Sequence, residues 1–468
     1  MNIRLDQPTP PVSREDRDAA RQVQGPKLSH AEITVVRGPT SAAIYDLHTG
    51  HVYAANKTAA DIITMLLHNK TRSEICAILA NFQEISFEAA AGCLDEFFAT
   101  LRTLGLITDE PYRTVVDPND HKPSAPHTVD HLAFREVWCE ITSGCNLRCV
   151  HCYASAGQNG QTLAKDLPKE FWINTVKQIS LLGCQHLQIT GGEPFFREDV
   201  WEIVDAALQC QNNIEIFSNL SLCRPRDIIE RRGSISIGTT VFGHTSDVHD
   251  SITQIPGSFS RTVSAITELT QAHIPVRVAV ILMEQNYQCF EDTVSFLTSI
   301  GVQRIGSDFV RSVGRGSKER LRPAASLVQL GDKPNSLRTT KRRAFDFNRE
   351  YNSCWGQKMA VLPDGTVVPC IYARELKVGN LLEQSVSSIV SSNRLRRLWQ
   401  LSLEEIETCS GCEFRYACND CRPLALCEGK GLHARQPRCG YDPARGMRGI
   451  ALSQGNRSPA TGKTVAGR

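Results

Sequence analysis

Three cysteines lie within eight residues, Cys145-Asn-Leu-Arg-Cys149-Val-His-Cys152, and Tyr153 follows directly. This C-x3-C-x2-C spacing lets one loop turn all three thiols toward a common point. A cubane iron–sulfur cluster has four irons, and each takes one outside ligand, normally a Cys thiolate. Three cysteines therefore leave one iron open, and an open position on a metal centre is where a substrate or cofactor binds. The competing readings are three scattered thiols in a reducing compartment, or part of a zinc site. A second motif stands one strand further on. Thr190-Gly191-Gly192-Glu193-Pro194 closes the apolar run His186 to Thr190. Paired glycines let backbone approach a ligand closely, and the Glu193 carboxylate can accept bonds from an ammonium group. Alone, such a tetrapeptide is an ordinary turn after a strand. In register with the cysteine triad it becomes specific.

Together the two motifs resemble those of the radical S-adenosylmethionine (SAM) enzymes. The resemblance implies one 4Fe-4S cluster on Cys145, Cys149 and Cys152, whose open iron chelates the amino and carboxylate groups of SAM. It also implies that the Gly191, Gly192, Glu193 and Pro194 segment holds the amino group. Reductive cleavage would then release a 5′-deoxyadenosyl radical, with electrons from a donor such as flavodoxin or ferredoxin. The cofactor carries the chemistry, while the protein binds, orients and shields. Ser218 and Asn219 resemble the family's ribose and carboxylate contacts, and Tyr153 the residue beside the adenine; a polar pair ending a strand is also a common turn.

The densest cysteine constellation is C-terminal: Cys354, Cys370, then Cys409-x2-Cys412-x5-Cys418-x2-Cys421, with Cys427 and Cys439 beyond. Paired C-x2-C motifs also suit tetrahedral zinc, although a ribbon needs its pairs further apart. The order resembles the SPASM auxiliary-cluster domain. Carried over, that pattern assigns Cys409, Cys412, Cys418 and Cys439 to one auxiliary 4Fe-4S cluster, and Cys354, Cys370 and Cys421 to another. The chain departs from the fully ligated pattern, because no Cys follows within Trp355 to Val361. That auxiliary cluster either keeps an open iron or takes Cys427.

These motifs need a scaffold. From Val137 the chain alternates strand and helix, with strands read at Val137–Ile141, His186–Thr190, Ile214–Ser218, Ser234–Thr239, Val276–Leu282 and Gln303–Phe309. Repeated βα units imply a parallel sheet with right-handed crossovers. Six units match the partial (β/α)6 TIM-like barrel that the resemblance implies. The cysteine loop, the Gly-Gly turn and Ser218-Asn219 then all follow C-terminal strand ends, as a barrel active site requires. His244, His249 and Asp250 could face a substrate, or Asp250 could fix its own loop. Arg311 or Arg315 could meet a carbonyl or carboxylate of a bound peptide, or belong to a solvated connector.

Upstream, Glu32–Val36, Ser41–Leu47 and His51–Ala55 read as strands, with a hairpin turn at His48-Thr49-Gly50. Three helical patterns follow: Thr58–Leu67, a second from the Thr71/Glu74 capping box to Ala80, and Phe87–Leu104. Cys76 and Cys93 read as core thiols. This winged-helix module resembles the PqqD-like precursor-recognition domains of peptide-modifying enzymes, with Val52-Tyr53-Ala54-Ala55-Asn56 as the matching phrase. There a leader peptide adds as a strand beside the third strand and lies against the third helix. DNA binding is the alternative, but the basic residues are few and scattered.

Composition sets the bounds. The 468 residues allow two or three domains, and the net charge of +2 does not suggest a nucleic-acid partner. No eighteen-residue apolar run and no apolar signal segment stand out, so the chain reads as cytoplasmic and not membrane-bound. Eighteen cysteines then favour cluster ligation over disulfides. The expected plan is a disordered lead-in (1–30), recognition module (31–107), linker (108–131), barrel (132–315), connector (316–350), SPASM domain (351–442) and disordered tail (443–468). The expected activity is radical SAM maturation of a ribosomally made precursor peptide, closing a thioether, C–C or C–O cross-link. A sulfatase-maturing or quinone-cofactor-type oxidase, and a non-catalytic peptide-binding scaffold, are the alternatives.

Overall fold

The computed structural model describes residues 26–30, 32–108, 134–157, 166–210, 213–323, 337–427 and 431–446, with the backbone of 451–453. Most of the predicted lead-in, linker and tail, and the middle of the connector, lie outside the described residues.

The N-terminal module is a short pair, β1 (Lys27–Leu28), and a meander of β2 (Ile33–Arg37), β3 (Ser41–Asp46) and β4 (Val52–Asn56). Three helices follow. In α1 (Lys57–Leu67) the Asn56 side chain accepts from the Ala59 N–H, and Ile62, Ile63 and Leu66 face the core. Before α2 (Arg72–Gln83), Thr71 and Glu74 complete a capping box. Ser86 caps α3 (Phe87–Thr103), and β5 (Ile107–Thr108) returns to pair with β1. Cys76 is buried, whereas Cys93 is exposed, which corrects its reading as a core thiol.

A second sheet has nine strands. Its centre is six parallel strands in chain order: β6 (Glu136–Glu140), β7 (Leu187–Thr190), β8 (Ile214–Phe217), β9 (Ile235–Thr240), β10 (Val276–Leu282) and β11 (Arg304–Phe309). Helices α4 (Lys169–Leu181), α5 (Val200–Gln209), α6 (Pro225–Ile229), α7 (Ser246–Thr253), α8 (Ser258–Gln271) and α9 (Phe290–Ser299) fill the crossovers. On the free edge of β6 the cysteine-rich region adds β12 (Lys358–Val361) in parallel, with Met359 opposite Val137. It then adds β13 (Thr366–Val368) and β14 (Gly379–Asn380) in antiparallel. One apolar core runs through both regions, from Ile189, Ile216, Ile237 and Val278 to Trp355, Met359 and Trp399. The fold is thus mixed α/β with a large mixed sheet and a C-terminal cysteine-rich region.

Two features depart from the predicted plan. Every residue of β3 is buried. Ile44 and Tyr53 pack on α1–α3, while Ala43, Tyr45, Val52 and Ala54 meet Phe345, Phe414, Tyr416 and Tyr441 of the C-terminal third. The module is therefore docked, a point its linker leaves open. Inside that interface the Glu413 carboxylate accepts from Ser41 and Tyr441, and its carbonyl accepts from Tyr45 Oη at 2.9 Å. The tail also contributes structure, since β15 (Ala451–Ser453) pairs antiparallel with β4. Tyr441 to Gly446 meet the turn from β2 into β3, with Thr40 Oγ1 donating to Pro443 O at 2.8 Å.

Candidate metal and cofactor site

The triad loop leaves the C-terminal end of β6 and is held by backbone from three directions. Arg148 and Val150 N–H donate to Thr253 O at 3.0 Å and Ile252 O at 2.9 Å, at the end of α7. Arg315, beyond β11, donates from Nε to Cys149 O and from Nη1 to Ala156 O, both at 2.8 Å. Its own N–H reaches Cys152 O at 2.9 Å. A Cβ on Gly314 would stand 2.3 Å from Tyr153 O, so this approach demands glycine. Asp166 closes the entry to the loop, accepting from Ser143 N–H at 2.9 Å and Ser143 Oγ at 2.8 Å.

Cys145, Cys149 and Cys152 are each partly buried and lie within electrostatic reach of one another. Burial pushes Cys145 up to about 12 and Cys149 higher, and each is pushed further by the charge of its neighbours. Three thiolates packed in this way need a cationic centre to exist together. Among the described residues no three His, Cys, Asp or Glu side chains converge as ligands of a single ion. A cubane instead gives each thiolate its own iron and spreads them, so the donor set suits a cluster.

Gly191 and Gly192 lie close against the backbone of Thr142 to Gly144. A Cβ on Gly192 would lie 2.1 Å from Gly144 O, and one on Gly191 2.5 Å from Thr142 O. Gly192 N–H donates to Thr142 O at 2.8 Å, and Glu193 N–H to Gly144 O at 2.9 Å. The glycines let this turn lie flat on the strand exit that feeds Cys145. Pro194 opens a single 3-10 turn. Glu193 is completely buried. Its Oε1 accepts from Ser218 Oγ at 2.7 Å and Phe195 N–H at 3.0 Å, and its Oε2 from Asn219 N–H at 2.8 Å. Burial pushes its carboxyl up to about 7, against the pull of those three donors. So Glu193, Ser218 and Asn219 are brought together, but the carboxylate is bonded to the protein. Asn219 Nδ2 points toward the triad loop, donating to Asn146 Oδ1 at 3.1 Å.

Tyr153 is half-buried and packs against the core that the two regions share. Its ring lies 5.0 Å from that of Tyr372, and its phenol bonds to Glu140, which is paired with Arg374 at 2.8 Å. His249 is buried, accepts from Phe242 N–H at 3.4 Å and is pushed down to about 4 by burial. Asp250 accepts from Gly257 N–H at 2.7 Å and Phe259 N–H at 2.8 Å, so it fixes the loop before α8. Arg311 and Arg315 are both engaged by protein atoms.

The C-terminal cysteines fall into two groups. Cys409, Cys412, Cys418 and Cys439 lie within each other's electrostatic reach, with the first three pushed up chiefly by burial. Cys354 bonds to the Cys421 sulfur, and Cys370 sits beside them. Cys421 is pulled down to about 6, first by that bond from Cys354 and then by Arg311, against the effect of burial. Between the groups Arg422, wholly buried, forks onto Asp420 and donates to Leu432 O and Ala434 O at 2.8 Å. Sequence reasoning missed Arg422 and Asp166; the place of Arg422 directly after Cys421 was the available signal for the first, and nothing beside Asp166 marked the second. Cys427 closes the helix Arg422–Cys427 that begins next to Cys421.

Three families match this chain: the radical SAM superfamily over residues 139–297, the SPASM iron–sulfur cluster-binding domain over 354–413, and coenzyme PQQ synthesis protein D over 42–107. The sporulation killing factor maturation protein SkfB of Bacillus subtilis is 27% identical over 273 residues, 55% of this chain and 65% of SkfB. The AdoMet-dependent heme synthase of Methanosarcina barkeri is 25% identical over 346 residues, 66% of this chain and 97% of its own. In fold, the chain is similar to Streptococcus suis SuiB bound to its precursor peptide SuiA. That likeness has a TM-score of 0.53 at 12% identity, covering 88% of this chain and 99% of SuiB.

Proposed function

We infer, for a chain that belongs to the radical SAM superfamily and joins to it a SPASM region and a PqqD-like module, that it matures a ribosomally made precursor peptide. The observation that carries this reading is the docking of β3 and β4 onto Phe345, Phe414, Tyr416 and Tyr441 of the C-terminal third, whose strands β12 to β14 extend the sheet that carries the triad loop. A peptide held by the module is thereby kept near the cysteine sites, which raises its local concentration there. The heme synthase match leaves a third of this chain without counterpart, while the SuiB likeness covers nearly all of it.

The parallel strands β6 to β11 are read as a partial (β/α)6 barrel, with the site at their C-terminal ends. Cys145, Cys149 and Cys152 would hold one 4Fe-4S cluster. Cys409, Cys412, Cys418 and Cys439, and Cys354, Cys370 and Cys421, would hold two auxiliary ones. With such a cluster and SAM in place, the chemistry supplied would be that of a 5′-deoxyadenosyl radical able to take hydrogen from the substrate. The chain's own residues orient and shield. Gly191 and Gly192 seat the turn against the triad loop, Glu193 ties that turn to Ser218 and Asn219, and Arg315 braces the loop from behind. Tyr153 and Tyr372 close the space between the barrel and the auxiliary region.

Module residues offer a peptide two surfaces. One is the edge of β4, which Ala451–Ser453 of the same chain pairs with here, so an incoming strand replaces it. The other is a cavity of about 160 Å³ among α1, α2 and α3, lined by Ala59, Ile62, Leu79, Leu94 and Phe97. Exposed Phe82 and Phe87 border the same helices.

The test is co-expression with each small open reading frame found beside the coding sequence, followed by mass spectrometry of the peptide. Loss of two hydrogens supports cross-linking, whereas loss of carbon dioxide favours a decarboxylating oxidase. An unmodified peptide, together with absent SAM cleavage, leaves the binding scaffold.

A further inference from the structure

Arg311, two residues past β11, has three partners at once. Its Nη1 donates to Cys421 Sγ at 2.9 Å. Its Nε and Nη2 donate to Asp308 Oδ2 at 3.0 and 2.6 Å. Its guanidinium lies over the Tyr372 ring, 4.4 Å from the centroid. The other oxygen of Asp308 accepts from Arg438 Nη1 at 2.7 Å, and Arg438 precedes Cys439. The Tyr372 N–H bonds to the Cys370 sulfur, and its ring lies 5.0 Å from Tyr153, the residue after Cys152. One guanidinium therefore touches one cysteine group, is tied through a shared carboxylate to the neighbour of a second, and reaches the third through two rings.

We propose that Arg311 is the positioning residue that sets the reduction potential of the cluster held by Cys354, Cys370 and Cys421, and that with Tyr372 and Tyr153 it fixes that cluster against the triad loop. This rests on the reading that clusters fill the three cysteine sets. A donor and a positive charge on a ligand sulfur stabilise the added electron, so they raise the potential. Asp308 does not cancel that charge, because its single carboxylate is divided between two arginines. The direct contact at 2.9 Å keeps the effect strong, since the interaction of charges falls with distance.

The device suits the reaction. When a cross-link closes on a carbon radical, one electron leaves the substrate and one proton leaves the attacking group. An oxidised auxiliary cluster with a raised potential takes that electron and becomes reduced by one, while the proton passes to solvent.

The experiment uses full-length protein, reconstituted anaerobically with iron and sulfide, and the variants Arg311→Met and Arg311→Lys. EPR-monitored potentiometry reads each cluster, and iron is counted alongside. The expected result is that one midpoint potential moves negative in Arg311→Met, less so in Arg311→Lys, with the others in place and iron unchanged. Iron-replete variants with unaltered potentials, or with all potentials moved together, overturn the proposal. So does loss of iron in both variants, which assigns Arg311 to assembly instead. If Cys354→Ala alters no signal of the parent protein, the cluster assignment itself fails, and that failure is distinct from the others.

Discussion

Glu193 sets stability against use. Its folded carboxyl titrates near 7, above the ordinary value of 4.5, so protonation stabilises the cofactor-free fold. That contribution is fully present below 4.5 and is lost as the pH rises through 7. The ionised form is the better acceptor for Ser218, Phe195 and Asn219, and it holds the turn against the triad loop. Thermal stability without SAM is thus expected to fall as the pH rises through this interval, while SAM affinity by calorimetry rises. Glu193→Gln should flatten both slopes; a retained slope in that variant would assign the titration to another group. Gly192→Ala should cost about 1–3 kcal/mol by overpacking and lower the iron bound at the triad, because Gly144 O stands where the methyl would go. Gly306→Ala, with open space around it, is the control and should change little. Cysteine spacing was legible because ligation fixes residue type and interval together. The partners of the glycines were not, since a close approach to protein and one to a ligand leave the same two letters.

Between elements, the loops beyond strand ends brace each other, and much of the bracing comes from far along the chain. Arg315→Met removes two charge-assisted bonds to carbonyls of the triad loop. Iron analysis should then show loss from the triad cluster with the auxiliary clusters kept; unchanged triad occupancy would contradict the bracing role. Arg374→Met strands the buried Glu140 charge and should destabilise by about 3–5 kcal/mol in chemical unfolding. Both strand series were readable from short apolar runs bounded by turns, and boundaries shifted by a residue or two, as at Ile214–Phe217. The hairpin of β12 and β13 was legible from Pro363-Asp364-Gly365, but its seat on the edge of β6 was not. Register between strands more than two hundred residues apart leaves no local trace.

Across the whole molecule, the module and the cysteine-rich region are joined through a sheet face that the sequence shows only as alternation. The run Ser41–Leu47 was legible as a strand, but no pattern named Glu413 or Phe414 as the partner of its second face. Tyr45→Phe, which removes one buried bond to Glu413 O, should cost about 1 kcal/mol in unfolding. If a leader strand adds to β4, deleting residues 447–468 should tighten binding of a labelled precursor, read by fluorescence anisotropy. Unchanged affinity would move strand addition elsewhere. The account as a whole depends on the triad assembling a cluster that cleaves SAM. The direct measurement is 5′-deoxyadenosine formed by the anaerobically reconstituted protein with SAM and dithionite, beside a variant with Cys145, Cys149 and Cys152 all changed to Ala. The account expects product from about twelve irons per chain in the parent, and none from about eight in the variant. A parent that yields no 5′-deoxyadenosine, or a variant that still yields it, would contradict the account.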